Sequence, residues 1–205
     1  MNRLEARALA CSRGSARLFR DVSFEAAAGE WVALRGPNGS GKTTLLRCVA
    51  GLAHADAGET LWNGASIARE REGFHAALLY AGHLAGIKDD LTAEENLHAA
   101  LSLRGVAATA AAARAALDQV GLGPRRRIPA RKLSAGQRRR IGLARLAIDP
   151  APLWLLDEPL TALDDEGQAL FERMLAAHLA GGGLAVISTH HRLAPAAARE
   201  VRLGA

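Results

Sequence analysis

Three short stretches of this sequence carry residue types whose spacing suits phosphate chemistry. Gly36-Pro37-Asn38-Gly39-Ser40-Gly41-Lys42-Thr43 fits the pattern G-x-x-x-x-G-K-[ST], with Thr44 following. Glycines at 36, 39 and 41 let backbone amides turn inward around phosphate oxygens, and Lys42 can reach the β and γ phosphates of a nucleotide. The Thr43 hydroxyl then falls on Mg²⁺. Leu153-Trp154-Leu155-Leu156 is an apolar run that ends in two carboxylates, Asp157 and Glu158. Adjacent acids after a strand are often only a solvated loop, but the phosphate loop upstream changes their reading. Asp157 is then placed to hold Mg²⁺ through water, while Glu158, one step on, points elsewhere and can activate a water for attack on the γ phosphate. Leu133-Ser134-Ala135-Gly136-Gln137 sets a serine N-cap and a glycine at a helix start, which is a second anion site. One chain thus offers two phosphate sites for one nucleotide.

These residues need particular elements behind them. Trp31 to Leu34 is an apolar stretch of strand length before the glycine loop, and Thr43 to Leu52 has helical apolar spacing, stopped by Gly51 and the polar segment His54 to Glu59. Leu4 to Leu9 and Leu18 to Phe24 alternate loosely, with turn material at 12–15 and 27–30, and read as short strands. Leu78 to Tyr80 is another strand. Thr92 and Glu95 have capping-box spacing at the start of a helical stretch that runs to Leu122 and divides near Gly105. Within it, Ala107 to Ala116 reads as a partly exposed helix, since alanine is the best helix former. Ser134 and Gln137 form a second cap, leading into a helix over 138–148 that ends before Pro150. Leu153 to Leu156 and Leu184 to Ser188 are strand-length runs bracketing a helix at about 165–179. Strand and helix therefore alternate at the two ends, with a helical block between, which is an α/β pattern.

Composition bounds the rest. The chain has 205 residues, 49% hydrophobic and 23% charged, as one globular domain would. Its net charge is +5, and since Lys42, Lys88 and Lys132 are its lysines, nearly all of the 26 basic residues are arginines. Cys11 and Cys48 are too few for a disulfide framework and stand in no Cys-x-x-Cys pair, so both read as buried thiols in a reducing compartment. Residues 1–10 lack the apolar stretch of a secretory signal, and no window approaches about 18 consecutive apolar residues. A role at a membrane would require another protein to hold the chain there. Arginines cluster at 125–127, 131 and 138–140 around the second anion site, but without interleaved aromatics they read as a solvated face rather than a nucleic-acid surface.

The three motifs together resemble the ATP-binding cassette (ABC) transporter ATPase domain over essentially the whole chain. The resemblance implies a P-loop NTPase fold of the ABC type, with an N-terminal antiparallel β subdomain and an inserted helical subdomain. A nucleotide-binding lobe is expected at 1–87 and 149–205 and a helical signature subdomain at 88–148. It implies ATP as substrate and Mg²⁺ as cofactor, with Gly36 to Thr44 binding ATP, Thr43 and Asp157 on the metal, and Glu158 and His190 catalytic. In this family the signature, here Leu133 to Gln137, faces the phosphate loop of a second subunit, so a homodimer of cassettes accounts for the surplus anion site. Asp164 in Thr161-Ala162-Leu163-Asp164 matches the loop that crosses the dimer interface, and His190 in Ser188-Thr189-His190 matches the switch histidine at the γ phosphate.

Two departures stand out. His83 occupies the place of the family's coupling-loop glutamine, and imidazole nitrogen suits Mg²⁺ less well than an amide oxygen. No aromatic stands at 10–15 to stack adenine, although the Arg13 guanidinium offers a plane. The segments Gly82 to Lys88, Leu133 to Arg140, Leu143 to Leu146 and Leu153 to Pro159 are similar to a narrower branch, the ATP-binding subunits of bacterial haem exporters in cytochrome c biogenesis. That likeness implies haem export or release of a haem carrier, integral-membrane partner subunits, no nucleic acid, and a peripheral place on the cytoplasmic face of the inner membrane. The alternatives are the ATPase subunit of another ABC transporter and a soluble ABC ATPase acting on DNA or ribosomes. The second resembles paired cassettes or cassettes split by a long coiled coil, and this chain has one phosphate loop and no heptad insertion.

Overall fold

The computed structural model describes residues 2–14, 16–82 and 86–204. His83, expected at the coupling loop, lies outside the described residues. The chain divides into two units: residues 1–83, 151–159 and 176–205, and residues 84–150 with 160–175.

The first unit contains two sheets. Strands β1 (Arg3–Arg13) and β2 (Ala16–Ala27) form an antiparallel pair in which Leu4 lies opposite Ala26. Their alternation is loose because register shifts after Ala6 and again after Leu9, with Ala8 at φ 49°. Strand β4 (Ala57–Trp62) pairs with the other side of β1, and the two-residue β5 (Ala65–Ser66) completes the order β2-β1-β4-β5. Half of β4 is exposed, which explains why its first residues read as polar loop.

The second sheet is parallel. Its order is β6 (Leu78–Ala81), β7 (Leu153–Asp157), β8 (Leu184–Ser188), β3 (Trp31–Arg35), β9 (Arg199–Arg202). Every residue of β7 and β8 is buried, as a strand covered on both faces requires, so both read as unbroken apolar runs. β9 is the opposite case, an edge strand of Arg-Glu-Val-Arg that gives no hydrophobic signal. Helix α1 (Lys42–Val49) packs on β7 and β8. Leu4, Phe24, Val32, Leu45, Leu155 and Val186 belong to one core, so both sheets and α1 share a single hydrophobic interior. Helix α2 (Arg71–Ala77) adds Phe74, tilted against Trp62 at 6.2 Å between centroids.

The second unit is built on α3 (Ala93–Leu103), α4 (Ala110–Gln119) and α5 (Ala135–Ile148), which pack pairwise. Both capping boxes form. Thr92 Oγ1 accepts from Glu95 N–H, and Thr92 N–H donates to Glu95 Oε2; Ser134 and Gln137 exchange the same two bonds. Buried Asn96 pins residues 88–92 onto α3, accepting from Lys88 N–H at 2.7 Å and donating to the carbonyls of Lys88, Leu91 and Thr92 at 3.0 Å. Alanine-rich α4 buries only Ala113, Ala116 and Leu117. Helix α6 (Asp165–Ala180) begins in this unit and ends in the other.

Candidate functional site: a phosphate loop with two acids and a histidine

At the end of β3 the chain leaves the parallel sheet and turns through Gly36 to Gly41 into α1. Gly41 is the N-cap at φ 96°, a region that disfavours side chains, and it supplies no capping side chain. The first N–H groups of α1 are therefore left to whatever anion enters the loop. Pro37, Asn38 and Gly39 are exposed along its rim, with Gly36, Ser40 and Thr44 half-buried around it. Lys42 is only 7% exposed and folds back over the loop, its Nζ donating to Gly36 O at 2.7 Å and Pro37 O at 3.1 Å.

The acids converge on this loop through the sheet. Asp157 ends β7 and is 2% exposed. Its Oδ2 accepts from Thr43 Oγ1 at 2.7 Å and its Oδ1 from Ser188 Oγ at 2.5 Å, so two neutral hydroxyls hold a buried carboxylate. A hydroxyl beside a carboxylate is a set of hard oxygen donors, and it fits Mg²⁺ better than a soft metal. Glu158 follows in the left-handed region at φ 48°, a strained conformation for a side chain of this kind. Its N–H holds it there, donating to both the carbonyl and the hydroxyl of Ser188 at 3.0 Å. The turn separates the two carboxylates and brings Glu158 Oε1 to 3.3 Å from His190 Nε2.

His190 Nε2 is also 3.3 Å from Lys42 Nζ. A neutral imidazole nitrogen either accepts from the ammonium or, when it carries the proton, donates to the carboxylate; it cannot do both. At any moment the histidine nitrogen can therefore hydrogen-bond either the lysine or the acid, not both. Tyr80 on neighbouring β6 is kept protonated at neutral pH, its pKa raised first by burial and then by the Asp157 charge, with Arg47 opposing.

In the first unit the structure therefore brings together Gly36 to Thr43, Asp157, Glu158 and His190. It adds Ser188, which the motif reading passed over. The available signal was a serine closing a wholly apolar strand run, since a fully buried hydroxyl needs a partner.

The second unit holds Leu133 to Gln137. Leu133 is buried, while Ser134 and Ala135 are exposed at the N-terminus of α5. A Cβ on Gly136 would lie 2.7 Å from Ala162 O, so only glycine admits the 160–164 loop this close. Asp164 Oδ1 accepts from Gly167 N–H at 2.9 Å and from Arg140 Nη2 at 2.7 Å, which together hold its carboxyl below the usual carboxylate range. Arg140 also donates to Val120 O at 3.1 Å. A cleft of about 360 Å³ opens beside the motif, lined by Gly121, Arg125, Ser134, Gly136, Gln137, Arg140 and Asp164 among others.

The arginines here are largely engaged within the unit. Arg131 pairs with Asp90, Arg138 with Asp89 at 2.8 Å, Arg114 and Arg126 with Glu94, and Arg140 with Asp164. Glu94 is correspondingly held below the usual carboxylate range, mainly by the Arg114 hydrogen bond. Among the described residues, no helix is long and apolar enough to cross a membrane.

A family profile described as ABC transporter matches residues 19–161. The chain is 50% identical over 199 residues to the cytochrome c biogenesis ATP-binding export protein CcmA of Salmonella typhi, covering 97% of this chain and 94% of the relative. It is 49% identical over 203 residues to the protein of the same name from Pseudomonas putida, covering 98% and 96%. In fold it matches a bacterial ABC transporter cassette solved as a dimer, with a TM-score of 0.86 and 22% identity over 98% of this chain and 94% of that one. Phosphate loop, strand-end acids, profile match and near-full-length likeness agree, and this chain belongs to the ABC transporter family as an ATP-binding cassette.

Proposed function

We propose that the chain is the ATP-hydrolysing subunit of a membrane ABC complex that powers haem export, or release of a haem carrier, in cytochrome c maturation. The observation that carries the catalytic part is the placement of His190 Nε2 at 3.3 Å from both Lys42 Nζ and Glu158 Oε1, beside the phosphate loop. The haem part rests on about half-identity, over nearly the full length, to relatives named for cytochrome c biogenesis export.

Residues Gly36 to Thr44 cradle the phosphates of ATP, and Lys42 exchanges its loop carbonyls for the γ phosphate. Thr43 and Asp157 would hold Mg²⁺, which when bound neutralises charge on the β and γ oxygens. Glu158 accepts a hydrogen bond from the attacking water and takes its proton. The water oxygen bonds to the γ phosphorus while the bond to the bridging oxygen breaks, and ADP leaves with that electron pair. His190 steadies the γ phosphate. Two copies form a homodimer in which Leu133 to Gln137 of one, with Ser134 and Gly136 foremost, close the site of the other, and Asp164 lies on the loop between them. The nucleotide-binding lobe is assigned to 1–87 and 149–205 and the signature subdomain to 88–148. His83 is assigned to the loop that passes closure to integral-membrane subunits, which hold the cassette on the cytoplasmic face of the inner membrane. Nucleic acid has no part in this cycle, and the engaged arginines around α5 support that reading.

The test is Glu158→Gln. It should bind ATP, accumulate as an ATP-bound dimer and lose turnover; parental turnover in this variant would remove Glu158 from the reaction. Fractionation of the chain with membranes should require co-expressed membrane subunits, and membrane binding in their absence would contradict the proposed partnership.

A further inference from the structure

Arg35 is the last residue of β3, directly before the phosphate loop, and the motifs give it no task. Its guanidinium Nη1 donates to Thr189 O at 2.7 Å and to His191 O at 2.6 Å. Both N–H groups of one nitrogen are thus used on the two carbonyls that flank His190. Sheet register explains the reach: Leu34 lies opposite Ser188 in the parallel β3/β8 pair, so Arg35 leaves the sheet beside Thr189, whose N–H donates to Leu34 O at 3.3 Å. His191 N–H donates back to Thr189 Oγ1 at 3.0 Å, closing a turn with His190 between them. On its other side Arg35 Nε lies 3.6 Å from Glu200 Oε1, on edge strand β9.

Residues 189–191 lie outside any helix or strand, and the His190 side chain is 51% exposed. Packing does little to place that imidazole. Arg35, by contrast, is only 17% exposed in its side chain and ends an interior strand of the parallel sheet, between β8 and β9. Hydrogen bonds from a guanidinium to carbonyls are charge-assisted and directional, which suits a tether that fixes a backbone.

We infer that Arg35 is a positioning residue for His190: it clamps the backbone on both sides of the histidine and so sets the imidazole between Lys42 and Glu158. The strand that launches the phosphate loop thereby also fixes the histidine opposite it. The inference rests on the proposed ATPase function, and it deepens that reading by adding a residue that acts only through His190.

The experiment is a double-mutant cycle on ATP turnover by the full chain. Arg35→Met keeps the aliphatic stem and removes the donors. It should lower kcat about tenfold to a hundredfold, as small misplacements of a catalytic group do, with KM for ATP within about twofold of parental. In a His190→Ala background the same substitution should change kcat by less than about twofold, because two residues acting as one unit are not additive. Should the methionine variant fail to fold, Arg35→Lys serves in its place. It keeps the charge but places its donor nitrogen differently from Nη1, and should show a smaller kcat loss that also vanishes without His190. Equal losses in both backgrounds, a raised KM with unchanged kcat, or no loss at all would overturn the inference while leaving the ATPase reading intact. A parental chain without turnover, or a His190→Ala variant at parental rate, would instead sink the functional reading, and this inference with it.

Discussion

Ser188 Oγ donates to Asp157 Oδ1 at 2.5 Å while accepting from the N–H of Glu158 at 3.0 Å, so one fully buried hydroxyl orients the carboxylate of the first acid and the backbone of the second. Asp157 and Glu158 have different tasks in the proposed cycle, yet their geometry depends on a strand neighbour 31 residues away. Replacing Ser188 by alanine removes a partner of a buried carboxylate and one of two acceptors that hold Glu158 at φ 48°. The expected loss is about 1–3 kcal/mol of stability, seen as a lower urea midpoint at unchanged m. Turnover should fall by about tenfold or more as well. A variant with parental midpoint and turnover would mean that Asp157 is oriented without Ser188.

Gly136→Ala probes the second unit. The added methyl would meet Ala162 O at 2.7 Å, a backbone atom, so the 160–164 loop must shift. Ala162 itself sits at φ 67° and has little freedom to move without strain. In the proposed dimer this position closes the partner's site, whereas Lys42 and the phosphate loop belong to the other unit. Binding of a fluorescent ATP analogue by monomer should stay within about twofold, while the ATP-trapped dimer of Glu158→Gln should be lost. If the dimer persists on size exclusion, the contact with Ala162 has no bearing on assembly.

The parts of this site that were legible in the sequence are those whose chemistry is local. Gly36 to Thr43 is contiguous, and the caps at Thr92 and Ser134 each need only a residue three positions on. Fully buried β7 and β8 announce themselves as apolar runs. What was not legible is either solvent-facing or long-range. β4 begins Ala-Gly-Glu-Thr with its first half exposed, and β9 is a charged edge strand that exists only because β3 lies beside it. The seven-residue α2 buries a single side chain, Phe74, too few for a helical period to stand out. Arg35 meets the carbonyls around His190 across more than 150 residues, and no spacing in the chain foretells that contact.

Cys11 and Cys48 put their reading as buried thiols to a chemical test. Both are buried, and both thiols lie within 3.9 Å of His54 O. Burial pushes the Cys48 thiol up to about 12, with Cys11 beside it as the next cause. At pH 8 only about one Cys48 in ten thousand is then thiolate, the form that attacks electrophiles. A thiol reagent such as iodoacetamide should leave the native chain unmodified at Cys48 over hours and leave ATP turnover unchanged, whereas both cysteines should react once urea unfolds it. Rapid labelling of the folded chain would show that the region around His54 opens to solvent.

His178 makes stability depend on pH in a direction that can be worked out. Its ring stacks on Trp154 with centroids 3.8 Å apart and planes 10° from parallel, and its Nε2 lies 3.2 Å from Leu184 O. Burial is the dominant influence and lowers its pKa below 6.5, outweighing carbonyl contacts that act the other way. Between the folded and unfolded values the unfolded chain binds more protons, so stability rises with pH in that window. The contribution is full above about 6.5 and is lost as pH falls through the folded value. His178→Phe keeps a stacking ring but cannot titrate. Chemical denaturation of both proteins from pH 7.5 down to about 5 should show the parental chain losing stability relative to the variant as pH falls, because only the parental chain loses this contribution while the carboxylates titrate alike in both. Quenching of Trp154 fluorescence should grow over the same range as the stacked ring gains charge. Parallel stability curves for the two proteins would mean that the folded chain carries His178 with an ordinary pKa.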